Sequence, residues 1–194
     1  ATFTMYSGEI SSNTLTSNSN GAGIFTEGTT TICGNAKITN NRASAPKGYG
    51  GGICTTGSLT LGGNAEITNN HVVYSGNGGG GIFADQGSRL HISGNVKVAE
   101  NTDAGGICNL YLNHNEYDTD YGFAPITVTG ELADTARIGV TLVGKRRPAN
   151  TNPTVNIAKA ATIGLIKNNN FSSDDTTLYK MKVIESSSEQ IAQL

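Results

Sequence analysis

The acidic residues that could catalyse a reaction are scattered along this 194-residue chain. Hydrolysis or elimination of a polysaccharide needs clustered carboxylates, either as an acid–base pair or as calcium ligands beside a basic group. The acids of the repetitive first half are Glu9, Glu27, Glu66, Asp85, Glu100 and Asp103. No two of them fall at equivalent or adjacent outward positions, apart from one row of alternating charge described below. The sequence therefore predicts a protein that is not an enzyme.

One segment, NHNEYDTDYG (113–122), concentrates side-chain oxygens. Calcium takes several oxygen ligands from a short loop, and the candidates here are Asn115, Glu116, Asp118 and Asp120. The spacing is not that of an EF-hand, and Asp/Asn-rich loops without metal are common. A Ca²⁺ site and a solvated loop both stay open as interpretations.

The candidates for ligand contact are Arg42, Tyr49, His71 and Tyr74, which lie in two successive copies of a repeat. Tyrosine beside Gly/Asn-rich backbone suits sugars or peptide strands. The alternative is that the tyrosines only cover a glycine-rich bend. No serine or cysteine nucleophile motif lies near any of the three histidines.

The repeat has a period of about 29 residues. Each copy contains a Gly-Asn pair, an apolar residue, a second asparagine, and a glycine run that ends on an isoleucine. The closing isoleucines are predicted at Ile24, Ile53, Ile82 and Ile107. The copies are TTTICGNAKITNNRASAPKGYGGGICTTG (29–57), SLTLGGNAEITNNHVVYSGNGGGGIFADQG (58–87) and the shorter SRLHISGNVKVAENTDAGGIC (88–108), with a degenerate copy before them.

Apolar residues within a copy alternate at period two, as in Leu59 to Leu61 and Ala65 to Ile67. Gly or Asn pairs interrupt these runs before any reaches the length of a helix. A third short strand is predicted around Ile82 and Phe83. Three strands per copy predict an all-β fold, a right-handed parallel β-helix of about four coils.

Stacked coils place equivalent residues directly above one another, roughly 4.8 Å apart. The second asparagines should then form a ladder of side-chain amides at a bend. The members of this ladder are Asn41, Asn70 and Asn101. An outward row should alternate in charge and fix the register of the coils. The members of this row are Glu9, Lys37, Glu66 and Lys97.

The pattern changes after residue 122, so we divide the chain into a β-helical repeat region (1–122) and a C-terminal strand continuation and cap (123–194). Such a cap is expected because the last coil of a β-helix otherwise exposes an unpaired edge. The three cysteines are too few for a disulfide framework and are predicted to be small apolar fillers. Cys54 and Cys108 are predicted at equivalent positions two coils apart, too far for a disulfide.

The signature G-N-A-x-I-T-N-N followed by G-G-G-I resembles the β-helical repeats of large surface proteins of gut Firmicutes. It is more distantly similar to the repeats of polymorphic outer-membrane proteins. The stretches ITVTGELADTARIGVTL and NNNFSSDDTTLYKMKV resemble the segment that often ends such arrays. The resemblance implies a pectate-lyase-like β-helix on a cell surface, and it implies no catalytic residue.

The composition argues against a compact two-layer core and against several classes of partner. Glycine, at 26 residues, is about twice as frequent as usual, and charged residues reach only 14%. The formal net charge of −2 argues against nucleic acid and anionic membrane as partners. No apolar run approaches the roughly 20 residues of a membrane span.

The patterned sequence begins at Ala1 without a signal peptide, so we expect a monomeric module from a longer, extracellular bacterial chain. The expected function is a non-catalytic binding or spacer module of an adhesin-like surface protein that contacts a host glycan or host surface protein. The alternative is a fragment of a carbohydrate-active enzyme, either a polysaccharide lyase or a glycoside hydrolase. A cluster of carboxylates would distinguish the enzyme fragment from the binding module.

Overall fold

The computed structural model describes residues 1–74, 78–113, 126–142, 156–175, 182–185 and 189–193. Every regular element within these ranges is a β-strand, and they contain no helix long and apolar enough to cross a membrane. Most strands pair in parallel with the equivalent strand of the next turn. The protein is a parallel β-helix of about five turns.

Each of the first three turns contains four short strands, so the coil has four faces. The first face contains β1 (Thr2–Met5), β5 (Thr29–Ile32), β9 (Ser58–Leu61), β13 (Arg89–Gly94), β18 (Ile126–Leu132) and β20 (Asn156–Ala160). The second contains β2 (Glu9–Ser11), β6 (Lys37–Thr39), β10 (Glu66–Thr68), β14 (Lys97–Ala99) and the start of β19 (Arg137–Leu142).

The third face contains the shortest strands, β3 (Thr14–Leu15), β7 (Arg42–Ala43), β11 (His71–Val72) and β15 (Thr102–Asp103). The fourth contains β4 (Ile24–Thr26), β8 (Ile53–Thr55), β12 (Ile82–Ala84), β17 (Leu110–Leu112) and the end of β19. Four further strands complete the described structure: β16 (Gly106–Ile107), β21 (Phe171–Ser173), β22 (Lys182–Glu185) and β23 (Gln190–Gln193).

The parallel β-helix is confirmed, with corrections to its details. The predicted four coils are about five, because β18 and β20 continue the first face after the repeats. Each of the first three coils has four strands and not the predicted three. The strands that the sequence did not reveal, β7 and β11, have only two residues each. Such short strands show no alternating pattern that the sequence could reveal.

The core is a set of apolar rows that run through the turns. Ile38, Ile67 and Val98 pair in register and have no exposed surface, so they form one inward aliphatic row. Nearly all residues of these rows are apolar, with the fully buried Thr30, in register with Leu59, as an exception. The core is narrow because only alternate residues of each strand point inward.

The bend between the second and third faces is built by an asparagine pair. Asn40 and Asn69 adopt the left-handed conformation, with φ of 56° and 57°, which asparagine tolerates better than most residues. The next residue, Asn41 or Asn70, then turns into the interior, where each is fully buried. The glycine run is required here: a Cβ on Gly52 would lie 2.6 Å from the Gly81 carbonyl oxygen and 2.9 Å from Asn70 Nδ2.

The predicted amide ladder is confirmed, and it is longer than predicted. Each Nδ2 donates to the Oδ1 of the next rung, at 2.9 Å from Asn13 to Asn41, 3.0 Å at the next two steps and 3.1 Å at the last amide step. Asn109 Nδ2 donates to Asp174 Oδ1 at 2.7 Å. The complete ladder is Asn13, Asn41, Asn70, Asn101, Asn109 and Asp174.

The last repeat was aligned wrongly from the sequence. Ile107 does not close the coil: it lies in β16, which pairs antiparallel with β15, and it is 62% exposed. Leu110 pairs with Ile82 instead, because Leu110 and Leu112 can both point into the core. The position two coils beyond Cys54 is therefore held by Tyr111, and Cys108 is not equivalent to Cys54.

The charge row has the predicted register, since Glu9, Lys37, Glu66 and Lys97 pair in order. Of the three neighbouring pairs of opposite charge in this row, only Lys37 and Glu66 make a direct ion pair, at 3.2 Å. Lys97 instead contacts Glu100 at 2.7 Å, three residues along its own turn. Glu9 accepts a hydrogen bond from the Thr39 hydroxyl at 2.6 Å, which lowers the pKa of Glu9.

Candidate functional site

The third face places Arg42 and His71 side by side. Both residues follow a ladder asparagine directly, so the bend fixes where each short strand begins. Thr14, Arg42, His71 and Thr102 pair in register as one row on successive turns. Neighbouring strands are roughly 4.8 Å apart, so a ligand can contact two members at once. We call these four residues the third-face row.

Hydrogen bonds within the third-face row orient its two largest members. Arg42 is exposed, and its Nε donates to Ser44 Oγ at 3.2 Å. His71 is half-buried, and its Nδ1 lies 2.8 Å from Thr102 Oγ1. Because Nδ1 is engaged in this way, contact with a ligand would fall to Nε2.

The electrostatics of the third-face row keep the histidine uncharged. Burial and, next, the Arg42 guanidinium lower the pKa of His71, while a hydrogen bond with the Thr102 backbone and the Asp103 carboxylate act in the opposite direction. The net result is a lowered pKa, so His71 is neutral at pH 7. The row then combines a fixed cation with a neutral hydrogen-bonding ring.

The two tyrosines predicted beside this row lie in different surroundings. The Tyr49 ring packs against Phe83, with ring centroids 4.7 Å apart, so it covers the fourth face. Tyr74 follows β11 and is 42% exposed, immediately before residues 75–77, which lie outside the described ranges. No ring contact joins Tyr49 to Tyr74 within the described residues.

Sequence reasoning missed an aromatic row on the fourth face. Phe25, Cys54, Phe83 and Tyr111 pair in register, and the rings of Phe83 and Tyr111 stack with centroids 5.3 Å apart. The signal was present, because an aromatic residue follows the inward Ile or Leu in Ile24-Phe25, Ile82-Phe83 and Leu110-Tyr111. The wrong placement of Ile107 hid the third of these pairs.

The cysteines are free in the structure. Cys54 and Cys108 are buried, as expected of apolar fillers, and Cys33 is partly exposed. Burial, with a smaller contribution from Asp85, raises the pKa of Cys54 to about 12, so its thiol stays protonated at neutral pH. Burial also raises the pKa of Cys108, which accepts a hydrogen bond from Gly79 N at 3.1 Å.

The predicted calcium ligands Asn115, Glu116, Asp118 and Asp120 lie outside the described residues. Their neighbour Asn113 donates from Nδ2 to Asp85 Oδ1 at 2.7 Å. Within the described ranges, no three His, Cys, Asp or Glu side chains group closely enough to hold a metal ion.

Several described acids have structural contacts. Asp85 caps a turn by accepting from Gln86 N, and Asp103 accepts from Gly105 N at 2.7 Å. Glu66 and Glu100 pair with lysines, and Asp174 ends the amide ladder. This arrangement uses carboxylates to hold turns and rungs together.

The sequence matches no protein-family model, and neither a curated protein nor a solved structure matches it.

Proposed function

We propose that the chain is a non-catalytic binding or spacer module of an adhesin-like bacterial surface protein, and that the third-face row contacts a host glycan or host surface protein. The observation that carries this proposal is the row itself. Arg42 and His71 occupy adjacent turns on one face, with the exposed Tyr74 just beyond the same strand as His71. The rigid stack beneath them fixes their spacing.

The chemistry of the row favours a ligand with acidic groups. A guanidinium binds carboxylate or sulfate through two parallel hydrogen bonds, and it keeps its charge at any physiological pH. A neutral imidazole adds a hydrogen bond without a second charge, and a tyrosine ring offers an apolar surface to a sugar. Glycans that carry uronic acids, sialic acids or sulfate meet these requirements.

Recognition is favoured over turnover by the state of the titratable groups. A hydrolase or lyase needs two such groups held close together with pKa values set for proton transfer. The third-face row contains His71, whose pKa is lowered, but no carboxylate, and the neighbouring Asp103 accepts a hydrogen bond from the Gly105 backbone. The described acids that make hydrogen bonds or ion pairs stabilise turns and rungs of the β-helix.

Binding should be tested on an array of neutral and acidic glycans and host surface proteins, with affinities then measured for the retained ligands. We expect Arg42→Ala to weaken binding by about tenfold or more, equivalent to about 1.4 kcal/mol. His71→Ala and Tyr74→Ala should weaken it less. The matched controls are Arg89→Ala and His91→Ala, an Arg/His pair on the first face.

Three results would contradict the proposal. The first is that wild-type protein retains no ligand, and the second is that the first-face variants lose as much affinity as the third-face variants. The third is reproducible release of reducing ends or unsaturated products from a retained glycan, which would support the lyase or hydrolase alternative. We expect no product, with or without Ca²⁺.

A further inference from the structure

The N-terminal end of the β-helix has unpaired strand edges. Among the described residues, β1, β2, β3 and β4 each have a partner strand on one side only. The other end differs, because antiparallel strands cover two of its faces: β23 pairs with β20, and β16 pairs with β15. An edge with free N–H and C=O groups is a template for further strand pairing.

The same end leaves the apolar core rows uncovered. Met5, Ile10 and Ile24 are only partly buried, whereas the residues stacked on them in the next turn have no exposed surface. Those covered neighbours are Ile32, Ile38 and Ile53. Phe3 and Phe25 are 42% and 46% exposed and flank an open cavity of about 600 Å³. Apolar surface of this kind at one end favours a covering layer.

The amide ladder also stops at this end with an acceptor to offer. In each later asparagine rung, Oδ1 accepts both the backbone N–H and the Nδ2 of the preceding asparagine. Asn13 is the first rung and is exposed, and its Oδ1 has no such donor among the described residues. The next rung outward would therefore have to supply an amide donor.

The charge row gives the same end an electrostatic preference. Glu9 is its first member and is followed by Lys37, so a basic residue above Glu9 would continue the alternation that runs from Glu9 to Lys97, beyond which Arg137 pairs with Lys97. A carboxylate in that place would repel Glu9, since like charges on adjacent strands are destabilising.

We propose that this N-terminal edge is a docking surface for one further β-coil of the chain's own repeat type, stacked in parallel register. The coil it accepts carries a basic residue over Glu9, an asparagine over Asn13 and apolar residues over Met5, Ile10 and Ile24. This assignment does not depend on the third-face row or on its ligand.

A second copy of the chain does not meet these requirements. Two N-terminal edges placed head to head would both present the Glu9 carboxylate and the Asn13 acceptor, and residues 1–28 contain no Lys or Arg to answer them. In a head-to-tail arrangement the last rung of the ladder, Asp174, would lie against Asn13. A carboxylate has no N–H to donate to the Asn13 acceptor, and the Asp174 backbone N–H already donates to the Val140 carbonyl. The repeat coil is the occupant that satisfies the charge, the amide and the core rows together.

The test is a protein in which a copy of residues 29–57 is joined directly to Thr2. This copy carries Lys37 and Asn41 at the two required positions. We expect a higher Tm, and we expect backbone amides of β1, β2 and β4 to exchange with solvent at least about tenfold more slowly than in the unextended chain. Hydrogen exchange is measured on β1, β2 and β4 themselves, so it reports docking even if another part of the protein determines the Tm.

Two substitutions within the added copy make the test specific. Lys37→Glu places a carboxylate over Glu9 and should remove much of the added protection, whereas Lys47→Glu makes the same charge change at an exposed bend and should not. Asn41→Ala in the copy should expose Asn13 again. The proposal is overturned if the added coil leaves β1, β2 and β4 unprotected, or if Lys37→Glu and Lys47→Glu act equally. Dimerisation of the unextended chain through Phe3 and Phe25 would also overturn it.

Discussion

The protein contains two stacked rows of asparagine that differ mainly in burial. The buried row includes Asn41, Asn70 and Asn101, none of which has any exposed surface. The second row, Asn35, Asn64 and Asn95, lies at the surface at the turn between the first and second faces. The repeat spaces both rows identically and both consist of asparagine. A difference between the two rows therefore reflects their burial and not the residue type.

The buried row makes many more hydrogen bonds per residue. Asn70 accepts the backbone N–H and the Nδ2 of Asn41, and its own Nδ2 donates to Asn101 Oδ1 and to the carbonyls of Ile38 and Thr68. In the surface row, Asn64 Nδ2 donates to Asn35 Oδ1 at 3.0 Å, and Asn95 Nδ2 donates to Asn64 at 3.3 Å. Buried polar groups must be satisfied internally, whereas water can replace the surface bonds.

The two rows also end differently. The buried row runs toward the C-terminus and ends on the Asp174 carboxylate, while the surface row donates toward the N-terminus and receives the Thr135 hydroxyl at 2.8 Å. The comparison indicates that the interior holds the turns together, which leaves the outer rows available for contact with a ligand.

The largest expected effect is that of Asn70→Ala. It would leave the Asn41 backbone N–H without its acceptor in the interior. It would also remove the hydrogen bonds from Asn70 Nδ2 to Asn101 and to the carbonyls of Ile38 and Thr68, so we expect a loss of about 3 kcal/mol in the free energy of unfolding. The matched variant Asn64→Ala should cost about 0.5 kcal/mol or less. Denaturant unfolding measures both, and equal losses would break the comparison.

A smaller effect is expected from the end of the ladder. Burial raises the pKa of Asp174 above its usual value, against hydrogen bonds from Thr141 and Asn109 that lower it. A carboxyl whose pKa is raised in the folded state contributes stability at low pH that is lost as the pH rises through that pKa. Asp174→Asn should therefore gain stability relative to wild type as the pH rises from about 3 to 7.

Asn at position 174 retains an oxygen that can accept from Asn109, as in the other rungs. The control is Asp134→Asn, the same substitution at an exposed turn. A pH-independent difference for Asp174→Asn would show that the carboxyl titrates alike in the folded and unfolded chains.

The smallest effect is expected on the surface charge row. Glu66→Lys removes the pair with Lys37 and places a third cation between Lys37 and Lys97. Both side chains are more than a third exposed, so solvent screens the interaction and the cost should be about 1 kcal/mol or less. Glu27→Lys, an exposed site away from the row, is the control for thermal unfolding at low and high salt. A larger loss than that of Asn70→Ala would contradict the order of effects.

Much of the fold could be predicted because the same pattern of residues recurs in several copies of the repeat. Three spaced copies of Asn and of an inward Ile or Val identify the stack, its register and its buried ladder. The ladder members Asn109 and Asp174 could not be predicted, because Asn109 follows Asn101 by only eight residues and Asp174 lies far along the chain. A local hairpin between β15 and β16 returns the chain to the next rung, and no sequence period records that.

The candidate site was predictable only where it followed the register. Arg42 and His71 are adjacent because they follow equivalent asparagines. The position of Tyr49 depends instead on its packing against Phe83, a tertiary contact that strand alternation does not predict.

Native-state hydrogen exchange tests most directly the claim that the buried row holds the turns together. The backbone amides of Asn41 and Asn70 donate to side-chain oxygens of the ladder, whereas those of Asn64 and Asn95 donate to the carbonyls of Gly34 and Gly63. We predict that the ladder amides exchange only through global unfolding and that the surface-row amides exchange through local opening at lower free energy. Equal or reversed protection of the two rows would contradict the account.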